Sequence, residues 1–401
     1  MPPPAPGRSF DRVLVVVLDS VGCGQAPDAS DFGDAGANTL GRVINDASPR
    51  LDNLARLGLD WIPGVPALTP DAATLQTPRA AWGRMTEIAA AKDTVSGHWE
   101  LMCVVSSEAF PVYPDGFPKG VIARFEKAIG RPTLGNYPAP GTEIIRELGE
   151  QHVRSGAPIV YTSGDSVFQL AAHEAVVPVC ELYEMCSIAR EMLVGPDRVA
   201  RVIARPFVGD DADSFARTSR RRDFALPPPG PTALDLLTDA GYRTHGIGKI
   251  DDIFAGRGIS SYVKTDDNTD GVARTIQALN EDAGDLIFTN LVDFDSLYGH
   301  RRDVEGYAAA LAAFDELLPD LLSALRPCDC LMLTADHGND PGFRGTDHTR
   351  ERVPLLVFSQ RTEPRDLGTR VTFADLGQTV LDNFGLRAEG PGTSFLAQIS
   401  D

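Results

Sequence analysis

Three of the seven histidines stand close to aspartates in the C-terminal third of the chain. Asp293-Phe294-Asp295-Ser296-Leu297-Tyr298-Gly299-His300 follows the apolar run DLIFTNL (Asp285–Leu291), and Thr334-Ala335-Asp336-His337-Gly338 follows LMLT (Leu331–Thr334). Thr346-Asp347-His348-Thr349 precedes VPLLVF (Val353–Phe358), and Asp19 closes RVLVVVL (Arg12–Leu18). Carboxylates and imidazoles in such company suit divalent transition metals. Asp19, Asp295, His300, Asp336, His337 and His348 are more ligands than one ion takes, so two ions are the better count. Two ions roughly 3.5–4 Å apart stabilise the attacking and leaving oxygens of a phosphoryl transfer. Any one of these motifs alone reads equally well as a turn, where Asp and Gly are favoured for backbone reasons. Their joint position at strand ends is what argues for chemistry. Asp295 and His300 are five residues apart, about 140° on an α-helix, so they share a target only across a loop or turn. The adjacent Asp336 and His337 also need irregular backbone, and Gly299 and Gly338 are expected to supply permissive dihedrals.

A second chemical segment is Lys92-Asp93-Thr94-Val95-Ser96-Gly97-His98. A helix is expected from Val95, with Thr94 at its N-terminus, where free N–H groups and the helix dipole favour an anion. A plain Thr N-cap is the bland alternative. The chemical one is a hydroxyl nucleophile that becomes phosphorylated, which needs an activating base or metal. Lys92 would add positive charge, and His98 reads as a core residue or a support of the site. Gly246-Ile247-Gly248-Lys249 lacks the spacing and the hydroxyl of a phosphate-binding P-loop, so no nucleotide site is assigned. Lys249 is left as a contact to a substrate phosphate or hydroxyl. Cys328 and Cys330 alternate on a strand pattern, yet no further Cys or His completes a metal set around them.

The elements that must hold these residues are legible in outline. Short, continuous, β-branched runs at 12–18, 285–291, 331–334 and 353–358 are strands buried on both faces. Between them lie helical patterns at 304–325 and 373–384. Strands alternating with helices give an α/β sheet covered on both faces, with its site at the C-terminal strand ends. The middle differs: helices are expected near 119–129 and 181–193 and strands at 158–162 and 201–207. It closes on Arg220-Arg221-Arg222 and the proline cluster 227–231. The expected organisation is a discontinuous core, 1–105 and 229–401, with an α+β domain inserted at 106–228. Residues 1–10 read as a lead-in without the apolar core of a signal peptide.

With 401 residues, 43% of them hydrophobic, the chain carries a sizeable core and is neither disordered throughout nor a disulfide miniature. A net charge of −19 repels a phosphate backbone, which argues against nucleic-acid binding. No run approaches the ~20 apolar residues of a membrane span. Six scattered cysteines do not point to an oxidising compartment, so the cytoplasm is expected.

Taken together, these residues resemble the phosphopentomutases, a branch of the alkaline phosphatase superfamily. The resemblance rests on LDSVGCGQAPDA (Leu18–Ala29), KDTVSGHWE (Lys92–Glu100), YTSGDSVFQLAAHE (Tyr161–Glu174), RVIARPFVG (Arg201–Gly209), GIGKIDDIF (Gly246–Phe254), NLVDFDSLYGHRRD (Asn290–Asp303), TADHGNDPGFRGTDHTRE (Thr334–Glu351) and TFADLGQTV (Thr372–Val380). It implies an alkaline-phosphatase-like three-layer α/β core with a mostly parallel sheet and an inserted α+β cap. It also implies two manganese ions, one on Asp19, Asp336 and His337 and the other on Asp295, His300 and His348. Thr94 matches the nucleophile, carried as phosphothreonine, and Ser163, Asp165, Arg201, Arg217 and Lys249 match positions that engage the pentose phosphate. The implied reaction interconverts ribose or deoxyribose 1-phosphate and 5-phosphate through a 1,5-bisphosphate, with a sugar bisphosphate as activator. The small pentose phosphate is the only partner implied, and a monomer is compatible. Cys23 and Val95-Ser96 depart from the usual pattern but touch no expected ligand. A related metal-dependent phosphatase or a cofactor-independent phosphoglycerate mutase is the nearest alternative; Thr94 and the YTSGDS and RVIARPF segments argue against it. A non-catalytic metal-binding protein is the other.

Overall fold

A computed structural model describes residues 8–68, 77–163 and 166–400 of the chain. Asp165 and most of the N-terminal lead-in lie outside them. The strands are, in order, β1 (Arg12–Leu18), β2 (Ala81–Met85), β3 (Leu134–Pro138), β4 (Ile159–Thr162), β5 (Val167–His173), β6 (Arg201–Val208), β7 (Ala216–Arg217), β8 (Arg222–Ala225), β9 (Thr244–Ile247), β10 (Ser261–Val263), β11 (Leu286–Leu291), β12 (Asp329–Thr334), β13 (Val353–Phe358) and β14 (Asp366–Arg370). The chain divides into two compact units, one of Met1–Glu108 with Pro228–Asp401, the other Ala109–Pro227.

The first unit is built on an eight-stranded sheet, ordered β10-β9-β11-β1-β12-β13-β2-β14. Every residue of β1, β11, β12 and β13 is buried, as their unbroken apolar runs require. All pairings are parallel except those of β13 with β12 and with β2. That polarity decides where the chemistry falls. The C-terminal ends of β1, β11, β12, β2 and β9 share one edge, and β13 starts from the same edge. The helices Thr39–Ala47, Asp52–Leu57, Asn268–Asn280 and Val304–Ser323 pack together as one layer. Thr94–Leu101, Ala233–Asp239, Ile250–Ile253 and Ala374–Asn383 form another. The sheet between them completes a three-layer α/β core.

The second unit holds a six-stranded mixed sheet, β3-β4-β5-β6-β7 with β8 also on β6. Alternation along its strands feeds two cores. Phe168, Leu170, Val202 and Ala204 pack with Phe117 and Phe125, while Ile159, Tyr161, Ala171 and Phe207 pack with Ile144 and Ile145 of the helix Gly141–Ser155. Among the described residues, no helix is long and apolar enough to cross a membrane.

Candidate metal centre and nucleophile

Asp19 leaves the end of β1 fully buried, and the next residue, Ser20, has φ 73°. A non-glycine residue in the left-handed region is strained, and here the twist has a use. It turns the Ser20 amide toward the neighbouring strand end, where it donates to Asp336 Oδ1 at 3.0 Å. Asn290, a buried amide in β11, donates from Nδ2 to Asp19 Oδ2 at 2.9 Å. Two strand ends and a strand interior thus orient two carboxylates.

His337 lies between the donor groups. Its Nε2 is 3.5 Å from Asp19 Oδ1 and 3.4 Å from Asp336 Oδ2. Its Nδ1 lies 3.1 Å from the Gly338 carbonyl, a bond that leaves the Nε2 lone pair facing inward in the neutral ring. The donor atoms of Asp19, Asp336 and His337 lie within 4.8 Å of one another, and so do those of Asp295, His337 and His348. His337 therefore faces both groups, whereas the family resemblance divides the six ligands with His337 on one side. His300 joins the second group through Asp295, its Nε2 3.1 Å from Asp295 Oδ2, and its ring is 4.7 Å from that of His348.

Asp295 and His300 meet because Phe294–Gly299 is a π-helical turn, with the His300 amide bonded to Asp295 O at 3.1 Å. The wider i→i+5 turn brings residues five apart onto one face, and such turns cluster at functional sites. The expected role of the glycines needs correction. Neither Gly299 nor Gly338 has positive φ. Both are required by close approach instead: a Cβ on Gly299 would lie 2.8 Å from Asn339 Cγ, and one on Gly338 would lie 2.5 Å from Glu351 Cδ.

Thr94 is the first residue of the helix Thr94–Leu101, and its Oγ1 lies 3.2 Å from His337 Nε2. The cap is not Thr94 but Asp93, whose Oδ1 accepts from the Val95 and Ser96 amides at 3.0 and 3.1 Å. This frees the Thr94 hydroxyl from capping, and it also occupies two of the amides expected to receive an anion. His98 is fully buried, with Nδ1 2.8 Å from Thr94 O and 3.0 Å from Asp336 Oδ2 and Nε2 3.3 Å from Asn290 Nδ2. Lys92 spends its charge on Asp34 at 2.8 Å and Asp347 at 3.4 Å.

The electrostatics match a cation site. Burial and the neighbouring Asp336 carboxylate push Asp19 up. Burial works against ionised Asp336 and Asp295, yet His337 and His98 hold the former down, and His348 and His300 hold the latter well below its usual range. Burial likewise opposes a charged His337, but Asp336, Asp19 and Asp295 keep its pKa well above the ordinary value. These carboxyl groups favour a positive charge at His337, and a divalent ion would supply that charge instead. Asp19 Oδ1, Asp336 Oδ2 and His348 Nε2 are buried and form no well-aligned hydrogen bond, imidazole nitrogens being the groups nearest the two carboxylate oxygens, as ligand atoms that can turn to a cation would be. The residues present fit divalent metal.

The described ones among the remaining expected residues lie on other elements. Ser163 follows β4, Arg201 opens β6 at 3.6 Å from Asp223 Oδ2, and Arg217 is exposed in β7, all in the second unit. Lys249 is exposed in the first unit, at the start of Ile250–Ile253, beyond β9. No metal-ligand group among the described residues includes a cysteine. Sequence reasoning missed Asn290, Asn339 and Arg302. A polar Asn inside the otherwise apolar DLIFTNL strand was the available signal for the first.

A family model described as the metalloenzyme superfamily matches residues 11–388. The phosphopentomutase of Caldanaerobacter subterraneus is 53% identical over 391 residues, covering 97% of this chain and 98% of that one. The phosphopentomutase of Acetivibrio thermocellus is 51% identical over 390 residues, covering 97% and 99%. Among solved structures, a phosphoglycerate mutase of Leishmania mexicana is 14% identical, with 98% of each chain covered and a TM-score of 0.48. The chain therefore belongs to the phosphopentomutase family of the metalloenzyme superfamily and is, with that family, an isomerase.

Proposed function

We propose that the chain interconverts ribose or deoxyribose 1-phosphate and the corresponding 5-phosphate, with Thr94 as the group that gives and takes the phosphoryl. The observation that carries this reading is the Thr94 hydroxyl, 3.2 Å from the imidazole that both donor groups share. Asp19, Asp336 and His337 would hold one divalent ion and Asp295, His300 and His348 another, manganese being the choice the family resemblance implies. When bound, such ions supply positive charge to phosphoryl oxygens and to an ionising hydroxyl.

The chain's own residues do the rest. Phosphorylated Thr94 passes its phosphoryl group to the C5 hydroxyl of a pentose 1-phosphate, giving the 1,5-bisphosphate and a free threonine. Thr94 Oγ1 then takes the phosphoryl group from C1, releasing the 5-phosphate and restoring the starting enzyme. A sugar bisphosphate would load Thr94 at the outset. Asp93 fixes the helix start so that Oγ1 points at His337 throughout, and His98 anchors the Thr94 carbonyl. Ser163, Asp165, Arg201, Arg217 and Lys249 are assigned to the pentose phosphate by motif position.

Thr94→Ala is expected to abolish isomerisation while both ions remain by elemental analysis, and phosphothreonine should vanish from the intact mass. Substantial mutase activity in that variant would sink the nucleophile assignment. Ribose 1-phosphate assayed beside 3-phosphoglycerate separates this reading from the phosphoglycerate mutase alternative.

A further inference from the structure

The two donor groups are supported in different ways. Asp19 and Asp336 are oriented by groups fixed in or beside strands, the Asn290 amide and the Ser20 N–H. Asp295 rests instead on a side chain from outside the strands: Asn339 Nδ2 donates to Asp295 Oδ1 at 2.7 Å. Asn339 is itself fully buried and held by Arg302, whose Nη1 donates to Asn339 Oδ1 at 2.7 Å. That bond fixes which end of the amide faces Asp295.

Arg302 does more than orient one amide. Its Nη1 also reaches Gly299 O at 3.2 Å and Asp340 O at 2.9 Å, its Nε reaches Gly345 O at 2.5 Å, and its Nη2 reaches Asp347 O at 3.0 Å. Gly299 ends the π turn that carries Asp295. Gly345 and Asp347 flank Thr346, whose carbonyl lies 2.8 Å from His300 Nδ1, and Asp347 precedes His348. One guanidinium therefore spans the segments that carry Asp295, His300 and His348, from a residue held at φ 57°. None of these bonds reaches Asp19, Asp336 or Thr94. A lysine has no planar fork and cannot meet acceptors spread in this way.

We propose that Arg302, acting through Asn339 and the 345–347 backbone, is the positioning residue that assembles the Asp295–His300–His348 site, leaving the Asp19–Asp336–His337 site independent of it. The inference rests on the two-ion reading above, and its test reads metal binding and not turnover. Metal-free full-length protein is titrated with Mn2+ by calorimetry, and bound ions are counted after gel filtration. The unaltered chain should bind two ions. Arg302→Met and Asn339→Ala should each keep one ion at unchanged affinity and bind the other 10–100-fold more weakly, the usual loss when a ligand's hydrogen-bonded support is removed. Arg302→Lys should not restore it. Two ions bound with unaltered affinities in both variants, or equal weakening of both sites, would overturn the proposal. An unaltered chain that binds fewer than two ions would overturn the two-ion reading and this one together. If Arg302→Met fails to fold, Asn339→Ala decides alone, because it leaves the arginine's backbone bonds in place.

Discussion

At the scale of single residues, a glycine sets the distance between nucleophile and ligand. Gly97 lies mid-helix in Thr94–Leu101, where glycine costs helix stability by about 1 kcal/mol relative to alanine. Its place is explained by contact: a Cβ there would lie 2.0 Å from the backbone oxygen of Asp336 and 2.8 Å from its carbonyl carbon. Backbone cannot turn aside as a side chain can, so Gly97→Ala must push the helix, and Thr94 with it, away from the β12 end. The expected cost is about 1–3 kcal/mol despite the better helix former. Activity should fall more steeply, since a displacement near 1 Å can cost about 10²-fold. Denaturant unfolding and steady-state kinetics check both, with kcat falling more than KM rises. A variant that is more stable and fully active would show that propensity and not contact governs the position. This residue also marks a limit of sequence reading: glycine announces itself, but its neighbour across the fold does not. Gly299 and Gly338 were assigned to backbone freedom for the same reason.

At the scale of elements, legibility follows burial. β1 and β13 have the bounds expected, and β11 and β12 differ only at their first residues, because continuous β-branched or leucine-rich runs bury on both faces. β2, β10 and β14, short and partly polar toward the sheet edges, left no comparable pattern, nor did β3; β5 is the exception, buried but with Gln169 interrupting its apolar run. The π turn at 294–299 was foreseen only as a need for something other than an α-helix. A joint of helix to strand in the second unit carries a pH dependence. His152 Nδ1 bonds the Ala157 carbonyl at 2.7 Å, and its Nε2 accepts the His173 amide of β5 at 2.8 Å. Accepting at one nitrogen requires the neutral ring. Burial lowers its pKa, with His173 and Arg131 nearby adding to the effect against the Ala157 bond. The folded state thus resists a proton that the unfolded chain takes up near pH 6.5. Stability from this joint is full above that pH and is lost as pH falls toward the lowered folded value. Hydrogen exchange of peptides spanning 141–173 should quicken from pH 7.5 to 5.5, after correction for intrinsic rates, and His152→Gln should flatten that response. An unchanged pH response in the variant would remove His152 as its source.

At the scale of the whole molecule, the candidate centre joins two stretches of sequence that a long excursion separates. Asp19 and Thr94 come from Met1–Glu108 and the other five groups from Pro228–Asp401, with the chain leaving the second unit at Pro227. The net charge of −19 at first argued only against polyanions. Within it, three carboxylates, Asp19, Asp295 and Asp336, are buried together, and their mutual repulsion opposes the closing of these strand ends unless a cation offsets it. Divalent metal should therefore act as a clasp on the first unit. An ion present at a hundred times its Kd adds about 2.7 kcal/mol per site to whatever opening releases it. A chain of two units does not unfold as one step, so a single midpoint would blur this effect. Segment-resolved hydrogen exchange separates it. Mn2+ should slow exchange at the ends of β1, β11 and β12 and through 294–300 and 336–348, and a chelator should reverse the change. The helix Gly141–Ser155 and β5 should exchange equally in both conditions. Equal exchange of the strand ends with and without metal, or protection confined to the second unit, would contradict a clasp at this centre.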